Sequence, residues 1–371
     1  MAGDTRSPCD AVVERIGARA FTIPTDRPEA DGTLSWDATT VVVVEAHADG
    51  HSGLGFSYGH AAAAAIVTSV LSEAVVGGDA LSPPAAWERM RAAVRNLGYP
   101  GVASGAISAV DVALWDLKAR LLEIPLATLL GAVRRRVPIY GSGGFTSYDD
   151  DELTRQLSAW AEAGIPRVKM KVGSEPDRDP ERVRTARAAI GERVELFVDA
   201  NGAYDRKLAL RMAQVFWEES NVTWFEEPVS SDDLEGLRLL RDRAPAGMDI
   251  AAGEYGYDLF YFRRMLSAGA VDVLQADVTR CGGLTQMLQV AALCAASAVL
   301  LSAHTSPSIH AHVCAAIAPL AHLEYFHDHA RIERLLFDGV LDPVEGALCF
   351  DSARPGLGLE LRERDAQRYE I

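Results

Sequence analysis

The sequence predicts a closed barrel of parallel β-strands and α-helices, preceded by a smaller α+β region. Three observations carry this. The chain has 371 residues, more than the roughly 100–200 of one ordinary domain, so it holds two domains or one large barrel with a cap. From Val137 onward, short β-branched runs alternate with amphipathic stretches until eight strands have been counted, the pattern of a parallel sheet that closes on itself. No Gly-x-Gly-x-x-Gly turn follows an early strand, which argues against an open, doubly wound sheet.

The elements follow in order. Thr40 to Glu45 is an apolar, β-branched run and reads as a strand. Ala61 to Ala74 and Ala103 to Leu122 read as helices, the second with Val110, Leu114, Leu117 and Leu121 at three- and four-residue steps. Ile124, Pro125 and Gly131 punctuate its end. Pro24 to Asp37 and His47 to His60 are polar and aperiodic and are expected to be recognition loops. The eight barrel strands are expected at Val137 to Tyr140, Val168 to Val172, Val194 to Val198, Val222 to Phe225, Asp249 to Ala252, Val271 to Gln275, Val299 to Ser302 and His322 to Glu324. Helical stretches separate them, such as Leu153, Leu157 and Trp160, ended by Gly164, and then Leu208, Met212 and Val215. From Leu341 to Ile371 the chain is rich in turn residues (Pro343, Gly346, Pro355, Gly356, Gly358) and is expected to pack back on the first region. The division is therefore 1–135 as a cap, 136–340 as the barrel and 341–371 as a returning segment.

Composition narrows the function classes. Hydrophobic residues make up 49% and charged residues 24%, an ordinary globular balance. Lys and Arg number 36 against 52 Asp and Glu, a formal charge of −16. That disfavours nucleic acid or an anionic membrane as partner. The N-terminus lacks the apolar core of a signal peptide. The longest apolar run, Val290 to Leu301, is interrupted by Ser297 and too short to span a bilayer. Cys9, Cys281, Cys294, Cys314 and Cys349 include no C-x-x-C pair, so neither a disulfide framework nor a thiolate zinc site is expected. A cytoplasmic location is expected.

The chemistry lies at the strand ends. At or just past them stand Lys169 with Lys171, Asp199, Glu226, Glu254, Asp277, His304 and Glu324. From Lys171 on, they are spaced 20 to 28 residues apart, about one βα unit, so successive strands deliver ionisable groups to one face. A single carboxylate at a strand end is commonly a helix N-cap. Three in register, Asp199, Glu226 and Glu254, would repel one another if buried without a cation. An oxygen-preferring divalent ion resolves this, Mg²⁺ or Mn²⁺ rather than zinc. Lys169 and Lys171 are two apart on a strand, so both side chains share one face. Near a cation and each other, their pKa values are expected to fall, as a lysine base needs. Asp277 and His304 end neighbouring strands, and a hydrogen bond from the carboxylate would fix the imidazole tautomer. Among the other histidines, His327 and His329 flank Asp328 just after the last strand, where contact with substrate and a solvated loop are equally expected.

These residues sit in a series of motifs: Val-Lys-Met-Lys-Val-Gly at 168–173, Val-Asp-Ala-Asn-Gly at 198–202, Phe-Glu-Glu-Pro at 225–228, Ala-Gly-Glu at 252–254, Gln-Ala-Asp-Val-Thr-Arg-Cys-Gly-Gly at 275–283, His304 and Leu-Glu at 323–324. Ala-Leu-Trp-Asp-Leu-Lys-Ala at 113–119, Leu-Leu-Gly at 129–131 and Pro-Gly-Leu-Gly at 355–358 belong to the same series. In this order the series resembles the mandelate racemase subgroup of the enolase superfamily. The resemblance implies a modified (β/α)7β TIM-type barrel with an α+β capping domain built from both termini. It implies one Mg²⁺ per subunit on Asp199, Glu226 and Glu254, Lys171 as base on one face and an Asp277–His304 dyad on the other. Lys169 and Glu324 are then implied to contact the substrate carboxylate.

The expected reaction removes the proton α to a carboxylate, giving an enediolate. Positive charge from the ion and Lys169 would stabilise it, with a protonated Glu324 as hydrogen-bond donor. With a hydroxyl at C3, loss of water gives a 2-keto-3-deoxy acid, the reaction of an acid-sugar dehydratase. The alternative is racemisation or epimerisation of a 2-hydroxy acid, or cycloisomerisation of a sugar-acid lactone. Polar residues expected in the cap loops (Thr25, Asp26, Asp31, Trp36, His51, Ser52, Tyr58, His60) and after strand seven (Thr305, Ser306, His310) favour a polyol. The partner is then a small-molecule sugar acid, and a homo-oligomer is expected.

Overall fold

The computed structural model describes residues 11–371. Cys9 and the first ten residues of the expected cap lie outside them. Three antiparallel strands open the chain: β1 (Arg15–Ala30), β2 (Ser35–Ala48) and β3 (His51–Tyr58). The central strand, β2, carries the buried Val41, Val42, Val43 and Val44, β-branched residues that suit a strand covered on both faces. The expected loops are thus largely strand. Only residues 31–34 and 49–50 remain as turns between the three strands. Gly53 and Gly55 explain why composition misled. The helix Val102–Leu121 lies against β3, and a Cβ on Gly55 would sit 2.2 Å from the Ala109 carbonyl oxygen. Tertiary packing needs glycine there and overrides its poor strand propensity.

The barrel strands are β4 (Arg136–Gly143), β5 (Arg167–Lys171), β6 (Glu195–Asp199), β7 (Val222–Glu226), β8 (Asp249–Ala252), β9 (Val273–Ala276), β10 (Leu300–Ala303) and β11 (Leu320–Phe326). Each pairs in parallel with the next, and β11 closes on β4 through Leu323 with Ile139 and Glu324 with Tyr140. A helix occupies every crossover between consecutive barrel strands, and His327–Leu336 follows the last strand. This is the (β/α)7β arrangement, and each expected strand is present within two or three residues of its predicted bounds.

Period two sorts each strand's side chains. On β5, Val168 and Met170 join the large core between sheet and helices, which leaves Lys169 and Lys171 inside the barrel. Tyr140, Phe197, Trp224, Ala251 and Val273 form a separate inner cluster. Two residues on from Phe197 and Trp224 stand Asp199 and Glu226. The apolar layer is therefore a floor, and the charged layer rests on it.

The returning segment holds barrel and cap together. Ala347–Cys349 pairs antiparallel with the start of β4, Leu348 opposite Val137. Ile371 N–H donates to Ala20 O on β1 at 3.1 Å. Buried Asp116, on the helix Val102–Leu121, accepts from the backbone N–H of Leu54 (2.7 Å) and of Leu357 (2.5 Å) and from Arg120 Nε (2.7 Å). One carboxylate thus ties the cap sheet, the cap helix and the C-terminal return. Among the described residues Cys281, Cys294 and Cys314 are buried free thiols and Cys349 an exposed one. No described helix is long and apolar enough to cross a membrane.

Candidate active site

The structure brings all eight singled-out residues into one cluster at the C-terminal ends of the barrel strands. Asp199, Glu226 and Glu254 each offer an oxygen within 4.8 Å of the others, and all three are buried. Buried Glu227 Oε1 has no hydrogen-bond partner among the described residues, and Glu254 Oε2 meets only the His304 imidazole, at 3.0 Å. Oxygen-only donors, like charge packed together and an unsatisfied buried oxygen fit an Mg²⁺-type ion. Trp224 Nε1 donates to Glu226 Oε2 at 3.0 Å and fixes that carboxylate.

Lys169 Nζ lies 2.6 Å from Glu226 Oε1, 2.9 Å from Glu324 Oε1 and 3.6 Å from Asp199 Oδ2. Lys171 Nζ lies 2.5 Å from Asp199 Oδ2 and donates to Asn201 Oδ1 at 3.1 Å. Burial opposes the charged form of both amines, yet these carboxylates raise both above the ordinary lysine value. The expected fall concerns these amines with a cation on the triad, whose positive charge offsets the facing carboxylates. For Glu324 the expected protonated form is corrected, because that expectation counted the crowding carboxylates and not the facing cations. Burial would raise its pKa, but Lys169 and then His304 bring it to about 2. It is a carboxylate in this ion-pair network, not a protonated donor.

The dyad is present. His304 Nδ1 lies 2.9 Å from Asp277 Oδ2. Asp277 Oδ1 accepts from Thr279 N–H and Oγ1 at 2.7 and 2.8 Å, so the carboxylate cannot turn. His304 Nε2 is left toward the site, 3.0 Å from Glu254 Oε2 and 3.6 Å from Glu324 Oε2. Burial lowers the imidazole pKa, but Glu254 and Glu324 outweigh it and raise it to about 10.

Above the cluster opens a cavity of about 360 Å³. Lys171, Glu254, His304 and Glu324 line its barrel side, and Asp31, Trp36, Thr39 and Tyr58 its cap side. Of the expected cap residues, Asp31, Trp36 and Tyr58 reach it, whereas Thr25, Asp26, His51, Ser52 and His60 do not. Thr305 lines the cavity, but Ser306 and His310 do not. His310 instead accepts from Val278 N–H at 3.0 Å and contacts Thr305 O at 2.8 Å, bracing the strand-end turns. His329 lines the cavity, while His327 pairs with Asp26 at 3.0 Å outside it.

Sequence reasoning missed two residues at the reacting end. Asn201 takes a left-handed backbone, φ 45°, and turns its amide oxygen to Lys171. Arg280 Nη1 holds Glu254 Oε1 at 3.2 Å. Its place in the 275–283 motif, three residues after Asp277, was the available signal. The wall is also less polar than expected, because Leu34, Trp36 and Phe326 contribute to it.

Comparison with known proteins gives the class. The N-terminal domain model of mandelate racemase/muconate lactonizing enzyme matches residues 17–131, and the enolase C-terminal domain-like model matches 152–366. The chain belongs to this family of the enolase superfamily. A mandelate racemase/muconate lactonizing enzyme-like protein from Rubrobacter xylanophilus superposes with a TM-score of 0.96 at 59% identity, covering 97% of this chain and 100% of that one. A racemase from Streptomyces coelicolor A3(2) with bound magnesium superposes at 0.91 and 30% identity, covering 97% and 100%. L-talarate/galactarate dehydratase of Salmonella typhimurium is 33% identical over 327 residues, 86% of this chain and 80% of that protein.

Proposed function

We propose that the protein is an Mg²⁺-dependent acid-sugar dehydratase. The observation that carries this is the pair Lys171 and His304, on different strands, lining one cavity beside a carboxylate triad. Asp199, Glu226 and Glu254 hold the ion, which when bound supplies positive charge to the substrate carboxylate. Lys169 adds a fixed cation beside Glu226 and Glu324, where charge develops as the α-proton leaves. Lys171 takes that proton from C2. His304, its Nδ1 held by Asp277, presents Nε2 to the hydroxyl on C3. The C3–O bond breaks, the oxygen leaves as water with the His304 proton, and the C2–C3 enol becomes the 2-keto-3-deoxy acid.

The same two groups support a second reading. With no leaving group at C3, the proton can return from the opposite side and invert C2, and the likeness to a racemase favours keeping this in view. One experiment separates the two: a panel of sugar acids incubated with Mg²⁺ in H₂O and in D₂O. Semicarbazide-reactive keto acid, with deuterium entering at C3 of the product, supports dehydration. Inversion or exchange at C2 with no keto acid replaces it with isomerisation.

A further inference from the structure

Resting on the dehydratase reading, we infer that the outer end of the cavity is a subsite for a neutral, hydroxylated carbon chain, so the substrate is a sugar monoacid and not a diacid. The subsite begins at the turn of residues 31–34 between β1 and β2. Asp31 Oδ1 accepts from Thr33 N–H (2.6 Å), Thr33 Oγ1 (3.0 Å) and Leu34 N–H (2.7 Å). Its other oxygen makes no hydrogen bond among the described residues, and the side chain lines the cavity. The turn is pinned to the barrel mouth. Thr146 N–H donates to Ala30 O and Thr146 Oγ1 to Asp31 O, at 2.9 and 2.7 Å. Gly32 packs so closely that a Cβ would lie 2.5 Å from the Ala200 carbonyl oxygen. A carboxylate is therefore held in place on the cap side of the cavity.

The basic residues that line the cavity do not offset it. They are Lys171, Arg280, His304 and His329. Lys171 is on Asp199, Arg280 on Glu254 and His304 on Asp277, all at the reacting end. The His329 ring stacks on Tyr58, centroids 3.4 Å apart, and its Nδ1 accepts from Ser306 N–H at 3.4 Å. Burial lowers its pKa to about 3, so it faces the cavity as a neutral imidazole. Among the described lining residues, then, no cation is left for a second substrate carboxylate. A free carboxylate oxygen accepts hydroxyl protons, whereas a second carboxylate there would meet like charge. Trp36 gives its Nε1 to Glu29 Oε2 at 2.9 Å, so with Leu34 and Phe326 it offers the cavity apolar surface, suited to the C–H faces of a sugar chain.

The test pairs six-carbon monoacids and diacids of matched C2–C5 configuration, such as gluconate with glucarate and galactonate with galactarate. Keto-acid formation is read on the wild type, and binding by calorimetry on Lys171→Ala protein with Mg²⁺. Within the productive configuration, the monoacid should exceed the diacid by about 100-fold or more in kcat/KM, about 2.7 kcal/mol at 1.36 kcal/mol per decade. Asp31→Asn keeps the Oδ1 acceptor that shapes the turn, and should narrow the ratio by about tenfold or more. A diacid handled as well as its monoacid, or a ratio unmoved in Asp31→Asn, overturns the subsite while leaving dehydration intact. Preferential monoacid binding with no keto acid from any pair retains the subsite and removes the dehydratase reading. If neither member of any pair binds, both fall.

Discussion

The two ends of the cavity are built by different means. The reacting end is a ring of strand termini, each delivering one or two charged side chains that the neighbouring strands pair and bury. The outer end is a single hairpin turn of the cap, carried to the barrel by backbone contacts and shaped by Asp31 and Gly32. Strand termini are fixed by the barrel's own hydrogen bonds, so their chemistry survives changes elsewhere. The turn is fixed only by docking, so its side chains can change without disturbing the strands beneath. Reaction type and substrate choice are thereby placed on separate structural supports.

Breaking the reacting end should have the largest effect. Glu226→Gln keeps an acceptor for Trp224 but removes a carboxylate from the triad. Turnover should fall about 1,000-fold or more, in keeping with the several kcal/mol a metal contributes to charge stabilisation. Circular dichroism should be unchanged, and excess EDTA should abolish wild-type activity. Full activity in EDTA would remove the ion from the mechanism.

Next come the two flanking groups. Lys171→Ala and His304→Asn should each cost about 10²- to 10⁴-fold in kcat, the range for a positioned acid or base. They should differ in D₂O. His304→Asn retains a base for C2 exchange, whereas Lys171→Ala loses it. Equal exchange in both variants would show that the proton is not taken on the lysine side.

At the outer end the effects should be smaller and fall on KM. Gly32→Ala introduces a Cβ against Ala200 O and Val172 O and must lift the turn. Overpacking of this kind costs about 1–3 kcal/mol, so KM should rise about 5- to 100-fold with kcat changed less. Steady-state kinetics decides this, and a pure kcat defect would mean that the turn is not part of the binding wall.

The smallest effect concerns stability behind that wall. Burial, followed by the neighbouring Asp328, raises the Glu29 carboxyl to about 9. The folded state therefore keeps a proton that the unfolded chain releases near pH 4.5. The stabilisation is complete below that pH and is lost as pH rises through the folded value. Between pH 6 and 8 the wild type should lose up to about 1.4 kcal/mol more per pH unit than Glu29→Gln. Urea titrations at pH 6, 7 and 8 measure it, and parallel slopes would refute the shift.

The same contrast governs what could be read from the chain. Barrel strands were legible because Val168, Val198 and Val222 sit in short apolar runs, each leading to one or two charged residues at repeat spacing. β3 was not, because Gly53 and Gly55 are there for the helix that presses on them. The positions of Lys169 and Glu324 were foreseen, but not the ion pair that joins them across the ring and lowers the Glu324 carboxyl, because the two residues lie far apart in sequence. Asp31 and Trp36 stood among eight candidates of similar polarity. Only the tertiary placement of the turn and of strands β2 and β3 separates the three cap residues that reach the cavity from the five that do not.

Asp116 carries a consequence for how the protein is made. The carboxylate belongs to the cap helix, yet one of its three partners, Leu357 N–H, lies 241 residues further along the chain. On the ribosome at about 5–20 residues per second, that partner arrives roughly 12–48 s after Asp116 itself. During this interval the cap holds a charged side chain meant for a dry interior with one of its hydrogen bonds still missing. The cap therefore cannot reach its final stability as an early, independent folding unit. Completion of the first region waits on Leu357, and the barrel strands emerge while the cap is still unlatched.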